Sequence, residues 1–89
     1  MRLYHVTTEK KARLYRECHA IRAPVRGFTT LLAATVWAMR VGRRVILLIE
    51  CPEPARCHKL PDHHNKWGEA WWYDGDITGW RCVVSPKDA

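Results

Sequence analysis

Apolar positions in this chain come in short bursts, and the spacing within each burst predicts its element. Leu3 to Val6 is a brief β run at the N-terminus. The hydroxyl of Thr7 or Thr8 is placed to cap a helix that follows to about Cys18, with Glu9 favourably charged in its first turn. Ala12, Tyr15 and Cys18 recur at spacing three and give that helix one apolar face, opposite Lys10, Arg13 and Glu17. Ala20 to Ala23 reads as a short extended piece, with Pro24 barring helix and Gly27 permitting a turn. Phe28 to Thr30 is a second short strand. Thr29 or Thr30 then caps a helix over Leu31 to Val41, with Leu31, Ala34, Trp37, Ala38 and Val41 inward and Gly42 as its C-terminal stop.

Arg44 to Glu50 predicts a strand buried on both faces, because Val45 through Ile49 do not alternate with polar residues. Pro52 and Pro54 end it. Residues 51 to 68 are polar, rich in proline and histidine, and read as one long loop. Glu69 to Tyr73 is an aromatic strand, Asp74-Gly75-Asp76 a turn that could also close a hairpin, and Trp80 to Val84 a final strand. The order β-α-β-α-β-loop-β-β predicts a single α+β domain over 1–89: a small mixed or antiparallel sheet of about five strands with two helices.

Composition narrows the class. At 89 residues the chain buries roughly 60–65% of its unfolded surface, enough for one core. Hydrophobic residues at 47% and charged residues at 27% mark a folded domain rather than a disordered one. The longest apolar run, Val45 to Ile49, is far short of the ~20 residues of a membrane helix, and no leader pattern opens the chain. Together with four cysteines that form no secreted-type framework, this predicts a cytoplasmic protein with reduced thiols. The net charge of +6 is met equally by a solvated basic surface and by an anionic partner: nucleic acid, a phosphate-bearing cofactor or an acidic protein.

Five groups of residues could carry chemistry. His5 lies at the end of a strand just before a capped helix, a position that aims a side chain into a cleft, although strand histidines commonly serve packing. Glu69 opens an aromatic strand, where a carboxylate either blunts the sheet edge or works in a cleft by accepting sugar hydroxyls or a proton. Cys51, Cys57, His58, His63 and His64 offer zinc-type ligands, but their spacing matches no recognised zinc pattern, so loop histidines with an incidental cysteine pair are expected over a Cys-Cys-His-His site that would rigidify the loop. Trp67, Trp71, Trp72, Tyr73 and Trp80 crowd one stretch, one set facing the core and another available to stack on a base or nicotinamide ring. Arg22 and Arg26 flank Pro24, and Arg40, Arg43 and Arg44 surround Gly42. Arginine forks of this kind grip phosphates or simply solubilise a surface.

Leu3-Tyr4-His5-Val6-Thr7, Phe28-Thr29-Thr30 ahead of Trp37-Ala38, and Glu69-Ala70-Trp71-Trp72-Tyr73-Asp74-Gly75-Asp76-Ile77 together resemble the three motif regions of the ADP-ribosyltransferase superfamily, in particular its small bacterial toxin-type members. The resemblance implies that His5 and Glu69 are catalytic and project from neighbouring strands into one cleft. It implies that NAD is bound by His5, Thr7, Arg26, Phe28, Trp71 and Tyr73, and that ADP-ribose passes to a protein or nucleic-acid acceptor. Asp74 or Asp76 is an alternative carboxylate. Where family members stack a tyrosine on nicotinamide, this chain has Phe28 and Thr29, and it is shorter than typical members. The alternative expectation is a non-enzymatic binding or inhibitor protein, of the kind phages and mobile elements carry, that reuses the scaffold.

Overall fold

The computed structural model describes residues 1–63 and 65–86. Six strands form one antiparallel sheet: β1 (Arg2–Thr7), β2 (Val25–Phe28), β3 (Val45–Glu50), β4 (Cys57–Lys59), β5 (Ala70–Tyr73) and β6 (Trp80–Val84), in the order β4-β5-β2-β1-β3-β6. Two helices accompany them, α1 (Glu9–Cys18) and α2 (Leu31–Val41). The α+β class stands as expected, with one strand more than expected. The extra strand is β4, inside the segment read as loop. It pairs Cys57 with Tyr73 and Lys59 with Trp71, between 3-10 turns at Pro54–Arg56 and Pro61–His63.

Local chemistry sets the helix ends. Thr8 Oγ1 accepts from the Lys11 N–H at 3.2 Å and Thr30 Oγ1 accepts from the Ala33 N–H at 3.1 Å, each satisfying a donor that the first turn leaves unpaired. Gly42 ends α2 at φ 72°, a left-handed conformation that a side chain resists. The helix faces differ from expectation. Cys18 is exposed rather than inward. In α2 the buried residues are Ala33, Ala34 and Ala38, while Leu31 and Val41 stay 40% and 42% exposed. Small alanines let the helix lie close on the sheet, which turns the larger side chains at its margins outward.

Each face of the sheet carries a core. Under α1 lie Leu3, Val25, Leu47, Ile49, Tyr73 and Ile77, joined by Ala12 of the helix. Under α2 lie Val6, Phe28, Ile46 and Ala70 against its alanines. β3 is buried on both faces, as its unbroken apolar run predicts.

Two topological expectations are corrected. β1 and the strand after Glu69 are not neighbours: β2 sits between them, paired to each. The Asp74-Gly75 turn does not close a hairpin either, because β6 crosses to the far edge and pairs with β3. Between β1 and β3 the ladder runs the full length, from Arg2↔Glu50 to Thr7↔Val45, whereas β1 and β2 meet at Tyr4↔Phe28 and then part. Gly27 makes the near approach possible, since a Cβ there would stand 2.7 Å from Leu3 Cβ and 3.1 Å from the Tyr4 oxygen. No helix among the described residues is long and apolar enough to cross a membrane.

Candidate functional site

The parting of β1 from β2 opens a groove of about 320 Å³ between the strands, lined by α1 residues on one side of the sheet and α2 residues on the other. Its chemistry is one-sided. Lys11, Arg26 and Arg43 supply three cations, His5, Phe28 and Trp37 supply rings, His63 joins them, and no carboxylate among the described residues lines it.

His5 is held from both ends. Its Nδ1 donates to the backbone oxygen of Arg26 at 2.6 Å, and with that nitrogen protonated the neutral ring offers Nε2 as an acceptor. The Tyr15 hydroxyl lies 3.4 Å from Nε2, and Thr7 Oγ1 lies 3.5 Å from the same hydroxyl. The result is a relay Thr7–Tyr15–His5–Arg26 carbonyl. Burial lowers the affinity of His5 for a second proton. The Arg26 carbonyl opposes that shift, and the charges of Arg43 and Lys11 reinforce it. Burial and the neighbouring Arg43 and Lys11 thus favour the neutral imidazole.

Of the residues expected to bind a cofactor, His5, Arg26 and Phe28 meet in this groove. Thr7 is fully buried behind them and acts through Tyr15. Tyr73 is corrected: it is 3% exposed in the core, and its hydroxyl accepts from the Glu53 N–H at 3.3 Å, so it is closed to a ligand. Trp71 packs half-buried against the α1-side core, apart from the groove.

Glu69 immediately precedes β5, anchored by reciprocal bonds with Thr29: its N–H donates to Thr29 Oγ1 at 3.0 Å, and its carbonyl accepts from the Thr29 N–H at 3.0 Å. The segments 28–30 and 69–77 are therefore in direct contact. The Glu69 carboxylate accepts from Trp71 Nε1 at 3.3 Å and forms an ion pair with Lys59 at 2.9 Å. It is not among the residues lining the His5 groove. It does share a sheet face with His5, because Trp71 stands opposite Gly27 and the Tyr4↔Phe28 register sets Gly27 opposite His5. Two strands across and two residues along puts the two backbones on the order of 12 Å apart.

The alternative carboxylates have structural duties. Asp76 accepts from the Ala23 N–H at 2.8 Å and from Arg22 at 3.1 Å, clamping the Ile21–Ile77 bridge. Those two partners hold its pKa below the ordinary value. Asp74 is exposed, and its backbone oxygen accepts from Arg56 at 3.0 Å. The zinc-type residues are dispersed. His58 stacks on Trp72 at 4.5 Å and His63 lies edge-on to Trp37 at 6.1 Å, while Cys51 and Cys57 neighbour each other. His64 lies outside the described residues. Among the described residues no cluster of three or more such side chains is placed to hold a metal.

Sequence reasoning missed Lys11, Tyr15 and Trp37 as groove residues. Tyr15 and Trp37 fell on faces assigned to the core, and nothing local marks Lys11 apart from other helix-surface lysines. Compared with protein-family models, with curated proteins and with solved structures, the chain matches none.

Proposed function

We propose that this chain binds NAD, or a nucleotide of the same chemistry, in the groove between β1 and β2, on an ADP-ribosyltransferase-like scaffold. The observation that carries the reading is the groove's composition: Lys11, Arg26 and Arg43 with His5, Phe28 and Trp37, and no lining acid among the described residues. Arginine and lysine meet phosphate, rings meet a planar base, and a neutral imidazole held by a backbone carbonyl meets a ribose hydroxyl. The 320 Å³ volume sits at the small end of ligand pockets, room for one nucleotide half, with the other half lying along the cationic rim.

Transfer would follow from Glu69. Breaking the bond between ribose C1′ and the nicotinamide nitrogen sends the electron pair out with nicotinamide and leaves an oxocarbenium-like ribose. A fixed carboxylate stabilises that charge and takes the proton of the acceptor as its nucleophilic atom bonds to C1′. A shared face and a backbone separation on the order of 12 Å leave space for a sugar between the two side chains. Lys59 must then release the carboxylate, and an exposed ion pair is weak enough, about 1 kcal/mol or less, for that.

One observation favours a second reading, a binding or inhibitor protein without catalysis: Glu69 is already engaged by Lys59 and Trp71 and stands outside the groove lining. Calorimetric titration with NAD, followed by a nicotinamide-release assay, separates the two. Binding that Arg43→Ala weakens, with release that Glu69→Gln abolishes, supports the transferase. Binding without release supports the second reading, and a folded protein that ignores millimolar NAD removes both NAD-based proposals.

A further inference from the structure

A second groove, of about 420 Å³, lies on the other side of α1, between that helix and the edge strand β6. Among the described residues it too has no acidic lining. Arg16 and His19 reach it from the end of α1, Arg81 and Cys82 from β6, and Trp80 and Thr78 complete it. Arg2, Arg22, Arg56 and Lys59 each have a carboxylate partner, whereas neither Arg16 nor Arg81 forms an ion pair with a described residue. Two arginines without a described carboxylate partner thus border a half-buried tryptophan. Trp80 is half-buried and braced edge-on against Tyr15, ring centroids 6.5 Å apart at 78°, so its ring is fixed before any ligand arrives.

The geometry points to a binding site for single-stranded nucleic acid, with a base stacked on Trp80 and adjacent phosphates held by Arg16 and Arg81. Arg16 lies on the Trp80 side of the sheet and Arg81 leaves the edge strand β6 on the opposite side, so a strand crossing that edge over Trp80 has a guanidinium within reach before and after the stacked base. A phosphopeptide would use the arginines but leave the tryptophan idle. The site also adjoins the first groove. Tyr15 touches Trp80 on one side and His5 on the other, where its ring centroid is 5.9 Å from the imidazole. A strand lying over Trp80 is thereby brought beside the His5 groove. Its role as acceptor of ADP-ribose rests on the proposed function; its binding does not.

The test is fluorescence anisotropy with labelled ten-nucleotide DNA and RNA strands across a salt series, using the whole chain. Micromolar binding that falls with salt is expected. Arg16→Ala with Arg81→Ala should weaken it at least tenfold and flatten the slope of log K against log salt by about 1.4, the loss of two phosphate contacts. Trp80→Leu should weaken it in the same direction and remove the quenching of intrinsic fluorescence. Arg43→Ala, in the other groove, should leave it unchanged. The proposal is overturned by a folded protein that ignores the strands at low salt. It is equally overturned by binding that survives Arg16→Ala with Arg81→Ala, by binding that depends on Arg43 instead, or by a phosphoserine peptide of equal charge binding as tightly. NAD titration of the same variants reports on the His5 groove separately, so the two proposals fail independently.

Discussion

His5 Nδ1 stands 2.6 Å from the backbone oxygen of Arg26, at the point where β1 and β2 have ceased to pair. A side chain here replaces a ladder bond. The strand oxygen that β1 no longer satisfies is taken by an imidazole, and the space gained by the separation is the groove. This one contact fixes the ring's tautomer and orientation, while burial favours the neutral form against the pull of the carbonyl.

Burial of this ring makes stability depend on pH. The folded-state pKa of His5 lies below its ordinary value of 6.5, so on acidification the unfolded chain takes up this proton before the native one does. The contribution is fully present above about pH 6.5 and is lost as pH falls below it toward the lowered folded value. His5→Asn keeps a donor for the Arg26 carbonyl and removes the titration. Urea unfolding at about pH 7.5 and about pH 5 should show a smaller acid-induced loss in the variant than in the wild type. Equal losses would show that His5 does not couple to folding.

Gly27→Ala should be costly. Its Cβ would meet Leu3 Cβ at 2.7 Å and the Tyr4 backbone at 3.1 Å, and neither partner is free to move, since Leu3 is fully buried and Tyr4 is in the ladder. We expect a loss of about 1–3 kcal/mol, read by chemical denaturation. A neutral result would mean that β1 and β2 can separate further at little cost.

The two helix caps should differ. Thr8→Ala removes one capping bond and should cost about 1 kcal/mol. Thr30→Ala removes the capping bond and also the bond its hydroxyl donates to the Trp67 oxygen at 2.7 Å, which ties α2 to the segment before β5. It should cost about 2 kcal/mol. Thermal melts of the two variants side by side check the order.

The thiols should react unequally. Cys18 and Cys82 are exposed, Cys57 is half-buried, and Cys51 is fully buried with its pKa pushed up to about 11 by desolvation and by Cys57 beside it. Alkylation of the native protein near neutral pH, followed by mass spectrometry, should label Cys18 and Cys82 first. Cys51 should be labelled only after unfolding. Early labelling of Cys51 would contradict the closed packing at the end of β3.

The sequence by itself determined whatever depends on near neighbours. Thr8, Thr30 and Gly42 announce their helices because a cap acts within one turn, and Val45 to Ile49 announces a doubly buried strand because the run is apolar on both sides of the pleat. His5 and Arg26 were readable as candidates from residue type and position, and Phe28 only through the resemblance to a family motif. Which strands stand together was decided only by the tertiary structure. β2 lies between β1 and β5, β6 joins β3 instead of β5, and β4 forms within an apparent loop, because each choice depends on which sheet edge is open rather than on local propensity. The groove is a product of that assembly. It exists where two strands cease to pair, and no residue's own preference encodes the place where a partner strand turns away.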